Sequence, residues 1–559
     1  MNKFKYNILV LGVTAFAGMT TVACSESFLD VSSKTESNTE NFYKSEKDAW
    51  RALIGCYDGW RQISSNPGKG FYLASTIMSD ETYGGTGVPD LKDHQVVDRF
   101  DISQSPSDLN LYLQDWKSYY AGVYRCNELI TRESQIVWEN ESNHSLYMGE
   151  ARALRAIMYF DMVRLWGNIP LFLEPSSENR AQTDPAEVYA HIFDDLRYAI
   201  ENIPADANLS ESDNGRVTRY AAESILARAY LFYTGYYGKE PGFTPEGGET
   251  IGNVTKAEAL AAVEDVISSG KFELMPDFKT LWPAASLVPI PGENGWDTEK
   301  STYAGDANKE IILAQKFTPT QDYDGNNDSN RWLVMMGVRS PLNVSPYGKG
   351  WGAATVTPAF ISKYLADDPR LKASVIDLAG EGLTSSSDFQ TAYSDWREYT
   401  GYTVKKYTPL AYGNGNPGTN PDGTAGFQEC NPQQWTIMRY ADVLLMAAEL
   451  GSPNAATYMH MVRSRVGLAD IAVSKENIMA ERARELAFEG IRYWDLLRQG
   501  IDAVADAVCA TQGEASDGGR TVPVTYQRAK IVATQGLSQI PESEITLSNG
   551  VLKQNPGWK

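Results

Sequence analysis

The chain has 559 residues, more than one hydrophobic core usually serves, so more than one folding unit is expected. Its 42% hydrophobic and 22% charged residues are ordinary for a folded protein. A formal net charge of −21, with no cluster of Lys or Arg, excludes the basic surface that nucleic-acid binding needs and disfavours a polyanionic ligand.

The N-terminal stretch "MNKFKYNILVLGVTAFAGMTTVAC" carries Lys3 and Lys5, then an apolar run from Ile8 to Met19, then small residues. The run is shorter than the roughly 20 apolar residues of a resident membrane helix, so residues 1–23 read as a secretory signal. Two readings compete at its end: ordinary cleavage near Ala23, or a bacterial lipobox in which Cys24 becomes the lipid-bearing first residue. Thr21 stands where such boxes usually carry Leu, but Ala23 and the following "SESFLD" favour lipidation of Cys24. Several acyl chains anchor a protein stably where one is marginal.

Residues 24–45 are expected to form a tether, followed by a helical domain over 46–240. Within it, "EARALRAIMYFDMVRLWGNIPLF" (Glu150–Phe172) reads as one helix stopped at Gly167, then a short strand or turn. Apolar or small residues lie on nearly every side, where a surface helix shows one stripe of roughly 100°. Ala151, Leu154, Ala156 and Tyr159 share their spacing with Ala222, Ile225, Ala227 and Tyr230 of a later helix. Small residues at fixed offsets let neighbouring helices approach while large ones fill grooves on the other side. The pattern predicts stacked helical hairpins of tetratricopeptide type, without the full consensus of about 34 residues. Cys56 and Cys126 lie in apolar helical patterns and are expected as buried thiols; sequence alone leaves the disulfide state of these two, Cys430 and Cys509 open.

Residues 241–433 are rich in Gly, Pro, Asn, Asp and Ser, with strand-like runs "EIILAQKF" and "VKKYTPL". The segment is too long for one structureless loop and predicts ordered loops resting on helices. Trp282 in "FKTLWP" reads as structural, as do Trp50, Trp60, Trp116, Trp166 and Trp494 in helical patterns. Five aromatics fall in polar, glycine-containing contexts and are the candidate ligand-binding residues: Tyr83, Trp296, Trp332, Tyr347 and Trp351, with Asp80 and Asn294 as polar neighbours. A ring on a loop stacks against the apolar face of a sugar while nearby carboxylates and amides bond its hydroxyls. "DGNNDSN" (Asp324–Asn330) offers oxygen ligands for calcium but lacks the EF-hand order, so a solvated turn is the better reading and no cofactor is expected. "GNGNPG" from Gly413 fits a dinucleotide-loop string, yet Pro417 and Pro421 oppose the strand-to-helix frame it needs.

Residues 434–559 return to helical periodicity. "ERARELAFEGIRYWDLLRQG" presents Arg482–Glu485, Glu489–Arg492, Arg492–Asp495 and Asp495–Arg498 at i,i+3 spacing along one expected helix. Paired carboxylates of this kind raise glycoside hydrolysis as an alternative, but helix support and packing explain them better.

Together with "FLDVSSKTESNTENFYKSEKDAW", "RYADVLLMAAEL", "VRSRVGL" and "IPESEITLSNGVLKQNPGW", the two blocks Ala151–Phe172 and Glu481–Gly500 resemble, in order, the SusD/RagB family of outer-membrane lipoproteins. The resemblance implies a mostly α, tetratricopeptide-like hairpin scaffold with a loop-rich face carrying short β-strands. It implies a lipid-anchored, cell-surface protein that binds glycan, or peptide in RagB-type members, without catalysis. It also implies a partner, a SusC-like TonB-dependent porin that the lipoprotein covers as a lid. The family's ligand residues lie on variable loops, so none carries over by motif.

Overall fold

The computed structural model describes residues 42–65, 70–287, 301–318, 329–339, 346–410 and 431–558. The first half is an array of helices: α1 (Glu46–Ser65), α2 (Phe71–Ile77), α3 (Asp93–Arg99), α4 (Leu113–Thr131), α5 (Glu141–Trp166), α6 (Pro185–Asn202), α7 (Arg219–Tyr237) and α8 (Lys256–Ser268). Shorter helices follow: α9 (Trp332–Met336), α10 (Pro358–Ile361), α11 (Arg370–Ser374) and α12 (Ser387–Tyr393). The C-terminal region adds α13 (Tyr440–Glu449), α14 (Ala455–Ser464), α15 (Lys475–Glu485), α16 (Arg492–Leu497), α17 (Ile501–Cys509), α18 (Arg528–Ala533) and α19 (Glu542–Leu547).

Helix α5 shows why the array holds. Asn140 caps its start, the side chain accepting from the Ser142 N–H at 2.9 Å, and Gly167 at φ 67° ends it. Every residue from Met148 to Trp166 except Arg152 is buried, because α4 and α6 pack on α5 from two sides. Ala151, Leu154, Ala156 and Tyr159, and likewise Ala222, Ile225, Ala227 and Tyr230 of α7, are buried as their spacing predicts. Helices α1 and α4 also cross closely. A Cβ on Gly59 would lie 2.8 Å from the Gly122 Cα, so only hydrogen fits at that crossing.

The array runs from α4 through α5, α6, α7 and α8 to α13, and α13 packs on α14 and α15. The two helical regions therefore share a contiguous hydrophobic cluster, with members from Tyr43 to Trp558. A smaller cluster around Val338, Tyr347, Ile376, Phe389 and Trp396 underlies the loop-rich region.

Three small sheets finish the fold. The four-stranded one has the order β1 (Thr82–Gly84), β3 (Ala354–Val356), β5 (Tyr402–Val404), β4 (Val375–Asp377), all antiparallel. Strand β2 (Ile311–Gln315), from the expected "EIILAQKF" run, pairs with β6 (Trp435–Arg439), whereas "VKKYTPL" supplies only the end of β5. Strands β7 (Gly513–Asp517) and β8 (Arg520–Val524) form a hairpin whose turn glycines, Gly518 and Gly519, both have positive φ.

The charged C-terminal block departs from expectation. It is two helices, not one: α15 ends at Glu485, and Phe488 and Gly490, at φ 61° and 71°, reverse the chain before α16. The Asp495–Arg498 pair forms at 2.9 Å, but the other charges reach across the fold. Glu485 meets Arg370 and Arg465, Glu489 meets Lys406 and Arg439, and Arg482 pairs with Asp442 and Asp495. Burial pushes the Glu485 carboxyl up, and the guanidinium groups of Arg465, Arg439 and Arg370 more than reverse this, holding it well below the usual carboxylate range. Cys56 and Cys126 are buried free thiols, and Cys509 is a half-buried one.

Candidate functional site

Strand β1 and the loops around it place most of the nominated residues, and they turn inward. Tyr83 sits on β1, 1% exposed, with its hydroxyl donating to the Thr511 carbonyl. Trp332 opens α9 fully buried, its ring 5.8 Å from Tyr72 and 6.3 Å from Trp435, against Gly70 where any side chain would collide with it. Tyr347 is 2% exposed and donates to Glu381 at 2.6 Å. Asp80 is buried too, accepting from Arg492 at 2.8 and 2.9 Å and pairing with Lys363 at 3.2 Å. The expectation that these four lie open on loops is corrected by their burial. Local sequence suggested open loop positions, but Tyr83 lies within the four-stranded sheet, Tyr347 in the smaller cluster beneath the loop region, Trp332 against Tyr72 of α2 and Trp435 of β6, and Asp80 in an ion pair with Arg492. Trp282, read as structural, is buried against Tyr407 at 5.3 Å. Trp296, Asn294 and Cys24 lie outside the described residues, as do Asp324–Asp328 and "GNGNPG". Asn330, the last residue of the calcium-like turn, is consumed internally: its amide donates to the Gln433 carbonyl at 2.8 Å and its oxygen accepts from the Trp332 N–H at 3.1 Å. No metal-ligating cluster occurs among the described residues.

Trp351 remains. It is half-buried, its backbone N–H donates to the Val334 carbonyl at 2.7 Å, and the Arg331 guanidinium lies 5.8 Å from the ring centroid. The adjoining segment is bridged to the chain that carries Arg339, through Gly350. Arg339 donates to Asp395 at 3.1 Å and lies 3.8 Å from Asp90.

Sequence reasoning missed what fixes this polar shelf. Buried Arg397 donates to the carbonyls of Val88 and Asp90 at 2.7 Å and of Leu91 at 2.9 Å, and to Gln95 at 3.1 Å. Thr86, at φ 100°, occupies backbone space that side chains rarely adopt. It is clamped there, its N–H on Gly352 and its carbonyl accepting from the Arg397 N–H, both at 2.8 Å. The loop so fastened holds Asp90 half-open and Leu91 69% exposed. The only sequence signal was the turn-forming "TGVPD", which names a bend and not its clamp. A ring beside fixed carboxylates and guanidiniums can stack on and hydrogen-bond a hydroxyl-rich ligand with little ordering cost.

The carboxylates that suggested hydrolysis are committed elsewhere. Glu481, Glu485, Glu489 and Asp495 are buried and each is ion-paired, so this block offers no open acid–base pair.

Residues 309–558 match the SusD family, and residues 27–231 match a family described as starch-binding and associating with the outer membrane. SusD-like protein P38 of Formosa agariphila is 24% identical over 536 residues, covering 89% of this chain and 92% of its own. A SusD-like protein of Bacteroides ovatus is 25% identical over 513 residues, covering 88% and 82%. Among solved structures, a laminarin-binding SusD-like protein superposes with a TM-score of 0.69 at 25% identity, covering 92% of this chain and 100% of its own.

Proposed function

Because the chain belongs to the SusD/RagB family, we propose that it is a cell-surface glycan-binding protein that captures oligosaccharide and passes it to a SusC-like TonB-dependent porin. Lipidation at Cys24 tethers it to the outer membrane. The apolar run leading to Ala23–Cys24 supports this anchor, and no helix among the described residues is long and apolar enough to cross a bilayer. The observation that carries the glycan reading is Trp351, a half-buried ring with the Arg331 guanidinium 5.8 Å from its centroid, on a segment bridged through Gly350 to Arg339 of the Asp90–Arg339–Asp395 shelf. The laminarin-binding relative supports the same ligand class. The acidic balance favours neutral over sulfated or uronic sugars.

Calorimetry with neutral glucan oligosaccharides and with mixed peptides tests the proposal. Trp351→Ala should weaken glycan binding about tenfold or more while leaving the melting temperature close to wild type, as loss of a stacking hot spot does. Peptide binding without glycan binding would replace the ligand class, and turnover of any glucan would reinstate hydrolysis.

A further inference from the structure

Helix α4 carries Trp116, Tyr120 and Tyr124 at i, i+4 and i+8, one stripe whose members rise about 6 Å apart along the axis. The stripe walls a groove of about 380 Å³, with Phe172 beside it and Leu547 of α19 on the far rim. Its rings step outward. Trp116 is 4% exposed, Tyr120 is half-buried, and Tyr124 is 47% exposed. They are also held. Tyr120 donates to the Pro170 carbonyl at 3.0 Å, and Phe172 is fixed by Tyr159, which donates to its carbonyl at 2.7 Å and accepts from its N–H at 2.8 Å. Asn127 adds a bond to the same carbonyl at 2.8 Å, and the Arg180 guanidinium covers the Phe172 ring at 4.9 Å.

We infer that this groove is a second carbohydrate subsite, for a neutral oligosaccharide, built from helical elements that share nothing with the Trp351 loop. The inference rests on the glycan-binding reading and extends it. Tyr120 and Tyr124, the two rings of the stripe that reach the surface, lie about 6 Å apart along the helix, a spacing that suits two successive sugar rings better than a compact ligand. The polar lining includes Glu174, Glu178 and Asn179, exposed and able to accept or donate to hydroxyls. A protein partner covering the groove would strand those carboxylates away from water, which costs binding. The cations of the lining are engaged: Arg180 donates to the Leu171 carbonyl at 2.6 Å, and Lys117 lies 3.9 Å from Glu544. Three carboxylates, Glu174, Glu178 and Glu544, against Lys117 and Arg180 leave the lining slightly acidic, which disfavours sulfated and uronic chains. Fixed rings lower the ordering cost of stacking.

Binding of laminarihexaose, maltohexaose and a sulfated hexasaccharide would be titrated into wild type, Trp351→Ala, Tyr124→Ala, Tyr124→Phe and the Trp351→Ala/Tyr124→Ala pair. Residual neutral-hexasaccharide binding in Trp351→Ala, weakened about tenfold on adding Tyr124→Ala and kept by Tyr124→Phe, is the expected result, with the sulfated chain not binding the groove. Tyr124→Ala with wild-type affinity and stoichiometry would overturn the subsite while leaving the glycan-binding reading intact. No neutral-sugar binding in the wild type would overturn both. Loss of porin association in Tyr124→Ala, with sugar binding unchanged, would make the groove a protein dock and overturn the subsite.

Discussion

Asp80 and Arg492 form a bidentate ion pair, Nε to Oδ1 at 2.8 Å and the second guanidinium nitrogen to Oδ2 at 2.9 Å, across 412 residues of chain. The pair ties the segment before β1 to the start of α16, and both partners are largely buried. Burial alone would push the Asp80 carboxyl up, yet Arg492, with help from Lys363, holds it below its ordinary value. A carboxylate so committed is part of the frame that carries the loop face.

Asp80→Ala should therefore destabilise the protein by about 3–5 kcal/mol, because a buried guanidinium is left uncompensated. Urea denaturation measures this. The folded fraction should bind glycan with wild-type affinity; a variant of normal stability and lost affinity would return Asp80 to the ligand site.

Glu81, the next residue, has the opposite electrostatics. Burial pushes its carboxyl up to about 8, although one oxygen accepts from the Phe488 N–H at 2.8 Å. Its folded value lies above the ordinary 4.5, so the group is protonated in the fold at neutral pH. Its contribution to stability is full below about pH 4.5 and is lost as pH rises through about 8. Glu81→Gln keeps the Phe488 contact and cannot ionise. Across that window the wild type should lose stability relative to the variant, and parallel stability–pH curves would sink the assignment.

Ala156 is fully buried on α5, which neighbours grip from both sides. Ala156→Phe should cost about 1–3 kcal/mol through overpacking, whereas the same change at exposed Ala121 of α4 should be nearly neutral. Equal melting temperatures for the two variants would argue against close helix approach at position 156.

Cys24→Ala should abolish incorporation of radiolabelled fatty acid and move the protein from the membrane to the soluble fraction. Label retained by the variant would place the lipid elsewhere or remove it from the account.

The helical scaffold was legible because its signal is local. The spacing of Ala151, Leu154, Ala156 and Tyr159, the stop at Gly167 and the recurrence of the pattern at Ala222–Tyr230 depend on residues within a few turns of each other. Two-sided burial follows from that spacing alone. The aromatic stripe Trp116–Tyr120–Tyr124 was equally visible as a spacing, but only α19, arriving from the far end of the chain, makes it one wall of a groove. Exposure of the loop aromatics and the partners of the charged block were not legible. The Tyr83 hydroxyl finds its acceptor 428 residues away, and Arg370 meets Glu481 across 111. Sequence periodicity says which side of an element a residue occupies. Whether that side meets water or another element, and which charge meets which, is decided by contacts whose sequence separation leaves no local trace.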